Sequence, residues 1–200
     1  MTTKDIYIGN NGTGRDEVLS EAESYAKANG FSKKECIRIR LLSEELMGMV
    51  EAIAGQFFAY FHIEGGSRKY KLIVNAKVNM DSRIRNELLA ASSRKKNDAA
   101  KGICNKLKDI FEMYMLGCRE VLSDQNYYYM YYGYGLSDVD DFNSVSIWKL
   151  SDYKNNVNVK NNTEDWDELE KSIIANLADD VSVGIKGDDV ELIVTRTLTL

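Results

Sequence analysis

The clearest periodic pattern in the chain lies at residues 32–54. Apolar residues recur there at steps of three and four, which places them on one stripe of an α-helix: Ile39, Leu42, Leu46, Met49, Val50 and Ile53. Ser32 is suited to cap the first turn, Glu35 follows three residues later as in a capping box, and Gly55 is a stop signal. The pattern therefore predicts a long amphipathic helix with both ends marked.

Patterns before and after this helix predict a sheet with a second helix. Residues 5–8 favour a short strand, the glycine and asparagine cluster at 9–14 favours a turn, and residues 16–29 favour a helix. Two runs rich in aromatic and β-branched residues, 57–64 and 70–78, flank a Gly-Gly pair and predict a β-hairpin.

The second half of the chain continues the alternation of helices and strands. The predicted elements are a short helix to residue 89, a loop, a helix at 102–117, two strands within 124–164 that include 144–150, a helix at 164–177 capped by Thr163, and a closing hairpin at 181–185 and 190–198. This order predicts an α+β two-layer sandwich, with helices on one face of a mixed, mostly antiparallel sheet.

Composition limits the class of protein. Two hundred residues with 44% hydrophobic content fit a single domain at 1–200, with an atypical tyrosine- and asparagine-rich segment at 124–165. The chain has no apolar run of about 20 residues and no hydrophobic signal core, so we expect a cytoplasmic protein without a membrane partner. A net charge of −5 disfavours nucleic-acid binding. Three widely spaced cysteines and one histidine predict neither a disulfide nor a zinc site.

Glu45 is the first candidate functional residue. At about 100° per residue it lies on one shoulder of the apolar stripe beside Met49, whereas Glu44 points away from the stripe into solvent. A carboxylate at the edge of a buried face must find a partner or shift its pKa, because burial is costly for the charged form. No lysine or arginine stands three or four residues away. Glu45 is then either a structural carboxylate paired with a cation from another element or part of a ligand site.

Three further stretches admit a functional and a structural interpretation. The glycines at 9–14 lack the spacing and the following Lys-Ser or Lys-Thr pair of a phosphate loop, which favours a turn. A basic run containing Lys95, Lys96 and Lys101 would either attract a triphosphate or form a solvated loop. The tyrosine run at 127–135 favours a strand with one face in an interface.

The order of elements and two local motifs resemble the histidine-kinase-type ATPase superfamily, often called GHKL, and within it the anti-sigma-factor kinases. The family's long helix carries the pattern E-x-x-x-N; here Glu45 matches the glutamate and Met49 stands at the asparagine position. The segment A-A-K-G-I-C-N-K-L, with Gly102 at a helix start, is similar to the end of the family's mobile lid. The family's D-x-G-x-G motif corresponds only to N-M-D-S-R, where Asp81 or Asn79 stands for the adenine-binding residue and both glycines are missing.

The resemblance implies a ligand and a set of roles. Glu45 would act as general base or orient the acceptor, and the residues that would contact ATP are Asp81, Lys95, Lys96, Lys101 and Gly102. ATP is the implied cofactor, but Met49 cannot ligate Mg²⁺, a hard cation that takes oxygen ligands. We therefore expect a degenerate ATPase-fold protein that acts as a binding or regulatory module, with a protein partner or as a homodimer. The alternatives are an active ATP-binding protein serine kinase and an interaction protein that uses the tyrosine run.

Overall fold

The computed structural model describes residues 1–53, 57–78, 145–152, 154–155, 172–186 and 189–198. In chain order, its elements are strand β1 (Ile6–Gly9), a 3₁₀ turn (Asn10–Gly12), helices α1 (Arg15–Ala28) and α2 (Lys33–Ile53), strands β2 (Phe57–Gly65), β3 (Lys69–Val78) and β4 (Val145–Lys149), helix α3 (Ile173–Leu177), and strands β5 (Asp180–Lys186) and β6 (Asp189–Thr197). No helix within these ranges has the length and apolar character needed to cross a membrane.

The strands form one sheet in the order β1-β2-β3-β6-β5-β4. Each described pairing is antiparallel, including the pairing of β3 with β6, which joins strands far apart in the chain. The two predicted hairpins, β2–β3 and β5–β6, therefore lie next to each other in the middle of the sheet. The predicted α+β class is confirmed, and the arrangement is consistent with a two-layer sandwich.

Alternation along the strands produces a buried and an exposed face. On β2, Phe57, Ala59, Phe61 and Ile63 are buried, whereas the intervening Phe58 is 63% exposed. This is the period-two pattern of a strand with one covered face. The buried side chains form one cluster with the inward residues of the two long helices, which are Val18, Leu19, Ala22, Tyr25 and Ala26 on α1 and Ile39, Leu42, Leu46, Met47, Met49 and Val50 on α2.

The predicted helix stripe and its cap are largely confirmed. The stripe of α2 is buried as the spacing predicts, except that the side chain of Ile53 lies outside the described residues. The Ser32 hydroxyl accepts a hydrogen bond from the Glu35 amide at 3.3 Å. In a full capping box, the Glu35 carboxylate would accept a hydrogen bond from the backbone amide of Ser32. Here it accepts one from the Arg38 guanidinium. The cap is therefore present, while Glu35 takes part in an ion pair.

The glycine cluster at 9–14 forms a turn, as predicted. It contains the 3₁₀ segment and leads into α1 through Gly14, whose φ of 81° lies in the left-handed region. A Cβ at this position would overlap the backbone carbonyl of Tyr7, so both the backbone angle and the lack of space require glycine.

One prediction in the second half of the chain is wrong. Ser172 has an extended backbone, with φ −79° and ψ 119°, and its hydroxyl accepts a hydrogen bond from the Ala175 amide at 3.3 Å. An uninterrupted helix at 164–177 is excluded because α3 begins after this cap. The strand at 144–150 and the closing hairpin are confirmed as β4, β5 and β6. The helix at 102–117, the cap Thr163 and the tyrosine run at 127–135 lie outside the described residues.

Candidate functional site

Among the predicted site residues, the structure places Glu45. The predicted ATP contacts all lie outside the described residues, and they are Asp81, Lys95, Lys96, Lys101 and Gly102. The described part of the candidate site therefore consists of the α2 residues Glu44, Glu45 and Met49.

The Glu45 side chain lies at the edge of the buried stripe, as its helical angle predicts. It is partly exposed, and its neighbours in the stripe, Leu46 and Met49, are 0% exposed. Burial raises the pKa of the Glu45 carboxyl above its ordinary value, and the negative charge of Glu44 raises it further. Both effects favour the neutral acid, so Glu45 holds its proton to higher pH than a solvated glutamate does.

The expected cation beside Glu45 is not found among the described residues. No lysine, arginine or histidine in that part of the chain lies within ion-pair distance of its carboxylate. If Glu45 is a structural carboxylate, we expect such a pair with a cation from another element. Among the described residues, Glu45 therefore has a neighbouring carboxylate and apolar side chains beside it, and no ion-pair partner.

The ion pair belongs instead to Glu44. Its Oε1 lies 2.8 Å from Nη2 of Arg15, the first residue of α1, and both side chains are close to half exposed. The helical angle predicts that Glu44 points away from the stripe into solvent. Helix α1 packs along this side of α2 and brings Arg15 to it. A second ion pair, between Glu23 and Arg40, also joins the two helices. Arg15 carries no signal in the sequence that points to α2, because the pair depends on how the helices pack.

Met49 occupies the position of the expected metal-binding asparagine and is 0% exposed. Its thioether belongs to the same apolar cluster as the buried face of the sheet. A thioether is a poor ligand for Mg²⁺, and a side chain inside the core does not face a ligand. Within the described ranges, no group of three His, Cys, Asp or Glu side chains is placed to hold a metal ion. The described α2 residues do not fit the magnesium site that the resemblance implies.

Comparison with known proteins provides no relative for this chain. Neither protein-family models, nor curated proteins, nor solved structures match it. The functional interpretation consequently depends on the fold and on the α2 geometry.

Proposed function

We propose that this chain is a degenerate histidine-kinase-like ATPase-fold protein that works as a binding or regulatory module, with weak or absent nucleotide binding. The observation that carries the proposal is the complete burial of Met49 one turn after Glu45. In the resembled motif this position holds an oxygen ligand for the metal that bridges the phosphates. Here the position contributes to core packing, and phosphoryl transfer without that metal lacks its main neutraliser of phosphate charge.

The arrangement of elements supports the proposal. A strand and two helices precede a hairpin, the second helix carries Glu45, and a closing hairpin completes the sheet. Strand β3 pairs with β6 over nine residue positions, from Lys69 opposite Thr197 to Lys77 opposite Asp189, so the two hairpins form one continuous sheet. The scaffold can therefore be maintained by core packing even where the residues for nucleotide chemistry are replaced.

A second candidate function has one observation in its favour. The pKa of Glu45 is raised by burial, and no described cation neutralises its carboxylate. A carboxylate whose pKa lies closer to neutral pH is suited to general-base catalysis. This favours an active ATP-dependent protein serine kinase in which another residue replaces the missing metal ligand.

Calorimetric titration with ATP, with and without Mg²⁺, separates the two functions. The proposed function predicts no magnesium-dependent binding at concentrations below about 1 mM, the weak end of ordinary ligand affinity. The matched variants are Glu45→Gln and Glu51→Gln, since Glu51 is an exposed glutamate on the same helix. Magnesium-dependent binding below this concentration would refute the degenerate site. Phosphate transfer from ATP that is lost in Glu45→Gln and retained in Glu51→Gln would support the kinase.

A further inference from the structure

A second group of charged residues lies where α2 begins, away from Glu45. Tyr70 of β3 and Arg196 of β6 are directly opposite each other in the sheet, so their side chains emerge on the same face. Arg196 reaches Glu35 in the first turn of α2, with Nη2 3.7 Å from Oε1, and Asp179, with Nη1 3.3 Å from Oδ1. Glu35 also pairs with Arg38. We refer to these five residues, Glu35, Arg38, Tyr70, Asp179 and Arg196, as the Tyr70 cluster.

Three polar atoms of the Tyr70 cluster are buried without a hydrogen-bond partner in the part of the chain that the structure describes. They are the hydroxyl of Tyr70, Oε2 of Glu35 and Nε of Arg196. Tyr70 is 0% exposed. Burial raises the pKa of Tyr70, and the charge of Glu35 raises it further, so the hydroxyl keeps its proton and is available as a donor. Such groups are costly to leave unpaired away from water, so each of them requires a partner.

The three atoms define what their ligand must do. It must accept a hydrogen bond from the Nε–H of Arg196, donate one to Oε2 of Glu35, and bond to the Tyr70 hydroxyl in either sense. The charges of Arg38 and Arg196 are balanced by those of Glu35 and Asp179, so the cluster has no net charge for an ion to neutralise. An anion would be repelled by the Glu35 carboxylate and a cation by the Arg196 guanidinium. A neutral molecule that is both a donor and an acceptor meets these requirements.

We infer that the Tyr70 cluster binds one buried water molecule, which bridges the Tyr70 hydroxyl, Oε2 of Glu35 and Nε of Arg196. Buried waters in proteins make about three hydrogen bonds to polar groups that would otherwise be unpaired, which is the number available here. This water links the first turn of α2 to the beginning of β3 and the end of β6. The helix that carries Glu45 is then fixed to the sheet at its N-terminal end by a polar network in addition to its apolar stripe.

A crystal structure at a resolution better than about 2 Å tests the inference directly. The expected result is one spherical density peak within about 2.6 to 3.2 Å of all three atoms. A direct hydrogen bond between the Tyr70 hydroxyl and Glu35, a peak shaped like a larger molecule, or no peak at all would overturn it.

Two matched variants supply an independent test in solution. Tyr70→Phe removes one of the three bonds, and we expect the unfolding equilibrium constant to rise by about three- to tenfold. Tyr25→Phe is the control, because the Tyr25 hydroxyl is also buried without a described partner but its pKa is raised by burial alone, with no charged group acting on it. Its removal breaks no hydrogen bond, so the constant should stay the same or fall. Equal effects of the two variants would contradict a water bound to Tyr70.

Discussion

Replacing Met49 with asparagine restores the residue type that the resembled motif has at this position, and the structure predicts that the change damages the fold. Met49 is 0% exposed and packs with the core residues of both layers. Losing the buried thioether side chain costs about 1.5 to 3 kcal/mol of transfer free energy. Burying an amide with no partner adds about 1 to 3 kcal/mol. The expected loss of unfolding free energy is therefore about 2.5 to 6 kcal/mol.

Urea denaturation followed by circular dichroism measures this loss. With a slope of about 2 kcal/mol per molar urea, the midpoint should fall by about 1 to 3 M in Met49→Asn. Met49→Leu is the matched control, because a swap that conserves volume in the core costs less than about 1.5 kcal/mol. A small midpoint shift in Met49→Asn, accompanied by new magnesium-dependent ATP binding, would show that residue 49 faces a ligand and not the core.

The remaining predictions concern the charge of Glu45 and the turn before α1. Burial raises the pKa of Glu45 above its ordinary value of 4.5. The folded state therefore binds the Glu45 proton more tightly than the unfolded state does. As pH rises and the carboxyl ionises, the free energy of unfolding falls. Glu45→Gln should therefore have little effect at about pH 4 and raise the urea midpoint at about pH 7, and an identical effect at both values would contradict this reasoning. Gly14→Ala should lower the free energy of unfolding by more than about 2 kcal/mol. The alanine Cβ would overlap the Tyr7 carbonyl, and the residue would also have to adopt a φ of 81°. Gly12→Ala, with a φ of 77° and open space around its Cβ, should cost about 1 to 2 kcal/mol, and thermal melts that rank the two variants the other way would be inconsistent with this turn.

Periodicity predicts the elements well where a single face of an element meets the core. The five buried residues of α1 and the described stripe of α2 are those that the helical spacing selects, and β2 alternates between buried and exposed side chains. These patterns are local consequences of the helix and strand repeats, so they can be read from neighbouring residues alone. The half-burial of Glu45 follows from the same geometry.

Contacts between elements could not be predicted in the same way. The pairing of Glu44 with Arg15 depends on how α1 lies against α2, and nothing within five residues of Glu44 indicates it. The pairing of Tyr70 with Arg196 requires β3 and β6 to be neighbours in the sheet, although 125 residues lie between them in the chain. The sequence does not indicate the start of α3, because serine and threonine are both acceptable caps. The extended backbone at Ser172 shows where the helix begins.

The central claim is that Met49, at the position of the metal-binding asparagine in the resembled motif, packs in the core and does not face a ligand. A structure from crystals grown with Mg²⁺ and a non-hydrolysable ATP analogue tests this claim most directly. We expect the Met49 side chain to lie in the apolar core, with neither nucleotide nor metal density beside Glu45. Density for the analogue and a coordinated Mg²⁺ next to Glu45, with Met49 displaced from the core, would contradict it.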